Sequence, residues 1–81
     1  MNKTPLEVVL YTRIGCHLCD DAKSLLQKYG LEVYLIDVDR DPVLAARYGQ
    51  CVPVIAIDGR ERFRGRVDEV LLRRLLRQRP V

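Results

Sequence analysis

The sequence has no long apolar run, and its uncharged apolar stretches are each only a few residues long. A transmembrane helix needs about 20 consecutive apolar residues, so we expect no membrane span. Glu7 interrupts the candidate stretch nearest the start, residues 6–11, and we therefore expect no secretory signal peptide. The length of 81 residues leaves room for a single domain, 1–81, with one core.

The sequence is also short of cysteines and has an odd number of them: Cys16, Cys19 and Cys51. Small secreted domains that are held together by disulfides usually carry an even number. The cysteine count therefore argues against a secreted disulfide scaffold. A cytoplasmic protein whose cysteines take part in chemistry is the better interpretation.

Charge is distributed unevenly along the chain. Residues 1–59 carry 6 basic and 8 acidic side chains, a net charge of −2, whereas residues 60–81 carry 8 arginines and 3 acidic side chains, a net charge of +5. A basic segment favours anionic partners, although a solvated surface explains it more simply. Because no aromatic stacking motif and no helix-turn-helix signature accompany it, we do not expect a nucleic-acid partner.

Apolar periodicity and turn residues predict strands and helices in the order βαβαββα. The predicted strands are 6–11, 31–37, 53–58 and 60–64, and the predicted helices are 16–29, 41–49 and one capped by Asp68. Strands separated by a helix are expected to run parallel, whereas Asp58-Gly59 is a hairpin turn signal. The sequence thus predicts an α/β fold with a four-stranded mixed sheet and helices on both faces.

The segment most informative about function is Cys16-His17-Leu18-Cys19, which lies where a strand leads into a helix. The N–H groups and the macrodipole at a helix start favour an anion, so we expect a lowered pKa for Cys16. Cys19 lies three residues further on, where we expect it to be more buried and close enough to bridge. In such a dithiol one thiolate attacks a disulfide and the second resolves the mixed disulfide. The motif predicts these catalytic roles for Cys16 and Cys19 respectively.

Other uses of these thiols stay open. A zinc site needs four ligands, and the chain offers one Cys-x-x-Cys pair together with Cys51 and His17, so we expect no resident metal. An iron–sulfur cluster shared between two chains is an alternative, as is a pair of buried structural thiols. A further alternative is a non-catalytic binding domain that uses the arginine-rich surface of residues 60–79.

Three motifs together resemble the glutaredoxin-like family of the thioredoxin fold. They are Cys16-His17-Leu18-Cys19 after the first strand, Cys51-Val52-Pro53 before the third strand, and Gly65-Arg66-Val67-Asp68 before the last helix. Their order and spacing match the family over nearly the whole chain. The resemblance implies a thioredoxin-like fold and thiol–disulfide oxidoreductase activity.

The resemblance also implies a substrate-binding role for Val52 and Pro53. It implies that the peptide bond between them is cis, a state that few X-Pro bonds adopt. A cis bond would turn the Val52 backbone towards the Cys16 sulfur, where its N–H and C=O can pair with an extended substrate as an added strand.

Further substrate-binding roles follow from the resemblance at Arg13, Gly65 and Asp68. Arg13 takes the position of a lysine that binds glutathione in the family, and an arginine can hold a carboxylate bidentately. Gly65 and Asp68 belong to the motif whose aspartate binds the glutathione amino group. Asp68 is also a typical helix N-cap.

The chain departs from the family's pattern at three positions. His17 replaces a proline; it is a candidate substrate-binding residue, and when protonated it would add positive charge beside the Cys16 thiolate. Arg66 replaces a glycine and adds bulk where a peptide would approach. Cys51 replaces a threonine and is expected to be a small buried side chain, with a third redox thiol as the alternative.

The resemblance thus implies reduction of protein or glutathione mixed disulfides, with glutathione or a reductase as the electron donor. No bound cofactor is expected, because the cysteines carry the electrons. We further expect a cytoplasmic monomer with no nucleic-acid or membrane partner.

Overall fold

The order of strands and helices is the predicted one, βαβαββα, in a computed structural model that describes residues 6–77. The strands are β1 (Val8–Thr12), β2 (Val33–Asp37), β3 (Val54–Ile57) and β4 (Arg60–Arg64), and the helices are α1 (His17–Lys28), α2 (Pro42–Tyr48) and α3 (Glu69–Arg77). A short 3₁₀ turn, Val38–Arg40, joins β2 to α2.

The four strands form one mixed sheet in the order β2-β1-β3-β4. β1 is parallel to β2 and antiparallel to β3, and β3 is antiparallel to β4. Asp58 and Gly59 form the β3–β4 turn with φ angles of 52° and 82°, as the hairpin signal predicts. The predicted four-stranded mixed sheet is confirmed.

One predicted strand direction is wrong. β3 is antiparallel to β1 and therefore also runs opposite to β2, although α2 separates the two strands. The physical reason is the length of α2, whose seven residues span about 10 Å, against about 16 Å for the five residues of β2. The short helix does not return the chain to the far end of the sheet, so β3 starts at the same end of the sheet at which β2 ends, with β1 between them.

The helices cover both faces of the sheet, as predicted. α1 and α3 pack on the same face, where the buried core consists of Val8, Leu10, Ala22, Leu26, Ile55, Ile57, Phe63 and Leu72. α2 packs on the other face over a smaller core of Val38, Tyr48 and Val54. Val54 and Ile55 are neighbours in β3 but belong to the cores on opposite faces of the sheet, because side chains alternate along a strand.

Two of the helices begin at aspartates that the sequence predicts as caps. The Asp41 carboxylate accepts hydrogen bonds from the N–H groups of Val43 and Leu44, at 2.9 and 3.4 Å. Asp68 does the same for Val70 and Leu71, at 3.0 and 3.2 Å. Each cap satisfies N–H groups that have no partner inside the helix, which explains why the helix begins there.

Among residues 6–77, no helix is long and apolar enough to cross a membrane.

Candidate redox site

Cys16 and Cys19 lie at the start of α1 and form a disulfide, with their Cα atoms 5.2 Å apart. This separation lies within the usual range for disulfide-bonded cysteines. The Cys19 side chain is buried, with 1% of its surface exposed, whereas Cys16 is half-buried. The structure therefore brings the two cysteines together as predicted, with Cys16 the more accessible sulfur.

The Cys16 sulfur also caps α1. Its Sγ accepts a hydrogen bond from the Cys19 N–H at 3.1 Å, and Cys16 has the extended backbone of an N-cap residue, with φ −90° and ψ 105°. The N–H groups at a helix start carry partial positive charge. The lowered pKa that the sequence predicts for Cys16 in the reduced protein stays a prediction.

Exposed apolar side chains lie on both sides of Cys16 in the sequence, one in the loop before it and one in α1. Gly15 has φ 82°, a left-handed conformation that favours glycine, and it directs the chain from β1 into α1. The Cys16 N–H donates to the Arg13 carbonyl at 3.2 Å and closes this turn. Ile14 and Leu18, on either side of Cys16, remain 89% and 54% exposed.

The Arg13 guanidinium is occupied by other parts of the chain. Its Nε and Nη2 donate to the two carboxylate oxygens of Asp39 at 2.9 and 2.7 Å, and its Nη1 donates to the Gly49 carbonyl at 2.8 Å. The hydrogen bonds and charge of Arg13 lower the pKa of Asp39, and the Asp39 carboxylate in turn raises the pKa of Arg13. The binding of a substrate carboxylate by Arg13 stays a prediction.

The Val52-Pro53 segment lies next to Gly65. The peptide bond between Val52 and Pro53 is cis, Pro53 is fully buried, and its carbonyl accepts a hydrogen bond from the Gly65 N–H at 2.7 Å. Within the described part of the chain, the Val52 N–H and C=O take part in no hydrogen bond. The structure thus brings the second and third sequence motifs together, while the binding of substrate at Val52, Pro53 and Gly65 stays a prediction.

His17 and Asp68 are both exposed. His17 is the first residue of α1, directly after Cys16. Asp68 uses one carboxylate oxygen to cap α3, which confirms its predicted capping role. Their contacts with a substrate stay predictions.

Cys51 lies outside the disulfide and is half-buried rather than fully buried. Its Sγ accepts a hydrogen bond from Arg64 Nη1 at 3.6 Å, and the same guanidinium forms a salt bridge with Glu61 at 2.8 Å. Sequence reasoning missed both this contact and the partnership of Arg13 with Asp39. No local pattern could reveal either, because the partners lie on different elements.

A shallow groove of about 140 Å³ lies between α1 and the segment after β4. Its lining residues are Leu18, Asp21, Ala22, Leu25, Gly65, Arg66 and Val67. Leu18 stands between the two cysteines in the sequence, and the Gly65 N–H donates to the Pro53 carbonyl. Arg66 is exposed at this groove, in the position where the sequence departs from the family's glycine.

In the part of the chain that the structure describes, no three His, Cys, Asp or Glu side chains are grouped closely enough to hold a metal ion.

The chain is similar to known proteins over most of its length. Residues 7–77 match the family model of the glutaredoxin-like domain (DUF836). An uncharacterised protein of Mycobacterium tuberculosis is 37% identical over 76 residues, and the match covers 83% of this chain and 78% of that protein.

Solved structures show the same likeness. A protein of X. campestris, known from an X-ray structure, has 36% identity and a TM-score of 0.75, and the match covers 90% of this chain and 99% of that one. The glutaredoxin-like protein NrdH-redoxin from Escherichia coli, which has a thioredoxin-like activity profile, has 25% identity and a TM-score of 0.64, with coverage of 93% and 97%. The predicted thioredoxin-like fold is confirmed.

Proposed function

The chain belongs to the glutaredoxin-like domain family, and from this premise we propose that it is a thiol–disulfide oxidoreductase that reduces disulfides in proteins. The observation that carries the proposal is the pairing of an accessible Cys16 at a helix start with a buried Cys19. This pairing separates the attacking thiol from the resolving thiol, as a dithiol mechanism requires.

The reaction begins with both cysteines reduced. The Cys16 thiolate attacks one sulfur of the substrate disulfide, and the other substrate sulfur leaves as a thiolate and takes up a proton. The Cys19 thiol, after losing its proton, then attacks the Cys16 sulfur and releases the second substrate thiol. The substrate disulfide has gained two electrons and two protons, and Cys16 and Cys19 form the disulfide present in the structure.

Exposed backbone groups and exposed apolar side chains support a polypeptide substrate. Val52 presents a backbone N–H and C=O that the described residues leave without hydrogen bonds, which suits pairing with an extended chain. Exposed Ile14 and Leu18 offer apolar contact on both sides of Cys16. The likeness to NrdH-redoxin, with its thioredoxin-like activity profile, agrees with a protein substrate.

Each cycle leaves the dithiol oxidised, so the protein needs an electron donor. We propose glutathione or a reductase for this role, in a cytoplasmic setting where thiols are kept reduced. Glutathione mixed disulfides are the second substrate class, for which Gly65 and Asp68 would supply contacts. Neither the donor nor the substrate requires a resident cofactor, and we propose that the protein acts as a monomer.

Trapping of the mixed disulfide tests this function. In Cys19→Ser the resolving thiol is missing, so a protein disulfide should stay attached to Cys16 and appear in the intact mass. Cys16→Ser should trap nothing, and Cys51→Ser is the matched control that should complete the reaction. If Cys19→Ser and Cys16→Ser trap substrate to the same small extent, the proposed mechanism fails.

A further inference from the structure

We propose that Arg13 is a positioning residue that joins the loop of Cys16 to the segment leading to Pro53, instead of a binding group for a substrate carboxylate. The inference rests on the proposed function, since it concerns how the same site is held together. A positioning role for Arg13 also bears on substrate choice, because Arg13 would then not serve as the basic group that binds a substrate carboxylate.

The backbone of Arg13 is coupled directly to Cys16. Its carbonyl accepts the Cys16 N–H at 3.2 Å and closes the turn that brings the chain into α1. A change in the position of Arg13 therefore changes the position of Cys16. The Cys16 sulfur depends on that position for its hydrogen bond from the Cys19 N–H.

The side chain of Arg13 binds two other segments of the chain, at Asp39 and at Gly49. Three of its donors are used, two by the carboxylate of Asp39 and one by the carbonyl of Gly49. Asp39 belongs to the 3₁₀ turn after β2, and Gly49 is the C-cap of α2, two residues before Cys51. One guanidinium thus links the start of α1 with both segments that precede Val52 and Pro53.

Gly49 fits this arrangement for a steric reason. Its φ of −53° is open to any residue, so the need for glycine comes from steric contacts and not from the dihedral angle. A Cβ at this position would collide with the Ala45 carbonyl oxygen, and it would also lie 3.1 Å from Arg13 Nη2. The absence of a side chain leaves room for the guanidinium against a buried stretch of backbone.

The ion pair between Arg13 and Asp39 also supports a positioning role for Arg13. Asp39 holds Arg13 in a bidentate pair, the strongest arrangement between a guanidinium and a carboxylate. With three of its five N–H groups used, Arg13 could offer a substrate carboxylate only the remaining N–H of Nη1 and of Nη2, unless Asp39 or Gly49 were displaced. Lysine, which the resemblance leads us to expect here, has no planar fork and could not make this set of contacts.

The rate at which Cys16 is alkylated tests the proposal without requiring turnover. In a Cys19→Ser/Cys51→Ser background, Cys16 is the single thiol, and its reaction is followed by intact mass with neutral iodoacetamide and with iodoacetate, which carries a carboxylate. If Arg13 positions Cys16, Arg13→Met should slow both reagents by a similar factor of at least about two. Arg40→Met is the control, because Arg40 is an exposed arginine next to Asp39 in the sequence and its loss changes the charge by the same amount.

Three further variants sharpen this test. Asp39→Asn should also slow iodoacetamide, and the charge-neutral double variant Arg13→Met/Asp39→Asn should be no slower than the worse single variant, since both remove the same contact. Arg13→Lys keeps the charge but should not restore the rate.

Two results would overturn the proposal. A loss confined to iodoacetate and rescued by Arg13→Lys would make Arg13 a carboxylate-binding residue. If Arg13→Met leaves the alkylation rates of Cys16 unchanged but lowers the melting temperature, Arg13 contributes only to stability. Failure of the proposed function is separate, because it would appear as absence of trapping in Cys19→Ser whatever the alkylation rates are.

Discussion

The two faces of the sheet hold their parts of the site in different ways. The face covered by α1 and α3 has eight buried core residues and positions the helix that carries Cys16 and Cys19. The face covered by α2 has three, and there the Arg13–Asp39 pair and the Gly49 hydrogen bond supplement the small core. Apolar packing therefore holds the helix that carries the dithiol, whereas the polar contacts of Arg13 join the loop before Cys16 to the segments that precede Pro53.

The largest difference between the two faces should appear in activity. Cys16→Ser should abolish disulfide reduction, because it removes the sulfur that attacks the substrate. Cys51→Ser, on the α2 face, should retain it, because Cys51 lies outside the disulfide. Steady-state reduction of a protein disulfide measures both variants. A comparable loss in Cys51→Ser would establish Cys51 as a third redox thiol.

Stability should be the next difference. Leu26 on α1 is fully buried, and Leu26→Ala should lower the free energy of unfolding by about 2–5 kcal/mol. Val38 is equally buried beneath α2, but Val38→Ala removes only two methyl groups from a smaller core, at about 0.8 kcal/mol each. Urea denaturation of the reduced proteins measures both changes. Equal losses would show that the small core contributes as much as the large one.

Much of this arrangement could be predicted from the sequence because its signals are local. The Asp41, Asp58-Gly59 and Asp68 patterns indicate helix starts and a turn, and the structure has each of them. The Cys-x-x-Cys spacing likewise predicts the pairing of Cys16 with Cys19.

The features that could not be predicted depend on contacts between distant parts of the chain. The direction of β3 is set by how far α2 carries the chain, and not by the presence of a helix between two strands. The Arg13–Asp39 pair joins residues 26 positions apart. The Arg64–Cys51 contact likewise requires β4 to lie beside the segment before Pro53.

The pH dependence of stability should reveal the polar contacts of the α2 face. Hydrogen bonds from Arg13 lower the pKa of Asp39, so the folded protein holds this carboxylate ionised more readily than the unfolded chain does. The resulting stability is present above the unfolded pKa of the aspartate and is lost as pH falls through the folded pKa. Asp39→Asn should therefore flatten the acid limb of a plot of melting temperature against pH.

Glu69 provides the matching case on the face of α1 and α3. The Tyr29 hydroxyl donates to Glu69, which lowers the pKa of that carboxyl. Glu69→Gln should thus flatten the acid limb in the same direction. If neither variant changes that limb, these carboxylates do not contribute to stability as the structure indicates.

The smallest effect is expected at Arg64. Its salt bridge with Glu61 is exposed, and exposed pairs contribute little to stability. Arg64→Met should therefore leave the free energy of unfolding nearly unchanged, and Arg62→Met on the same strand serves as a control. A larger loss that is confined to Arg64→Met would show that its contact with Cys51 matters for stability.

The central claim is that Cys16 and Cys19 act as a reversible dithiol, and a redox titration followed by intact mass tests it most directly. Over a series of thiol/disulfide buffers, the protein should convert between a form with one disulfide and a form with none, at a single midpoint. Cys16→Ser and Cys19→Ser should each lose this transition, and Cys51→Ser should keep it. If the wild-type protein forms neither the Cys16–Cys19 disulfide nor a mixed disulfide at Cys16, the account is contradicted.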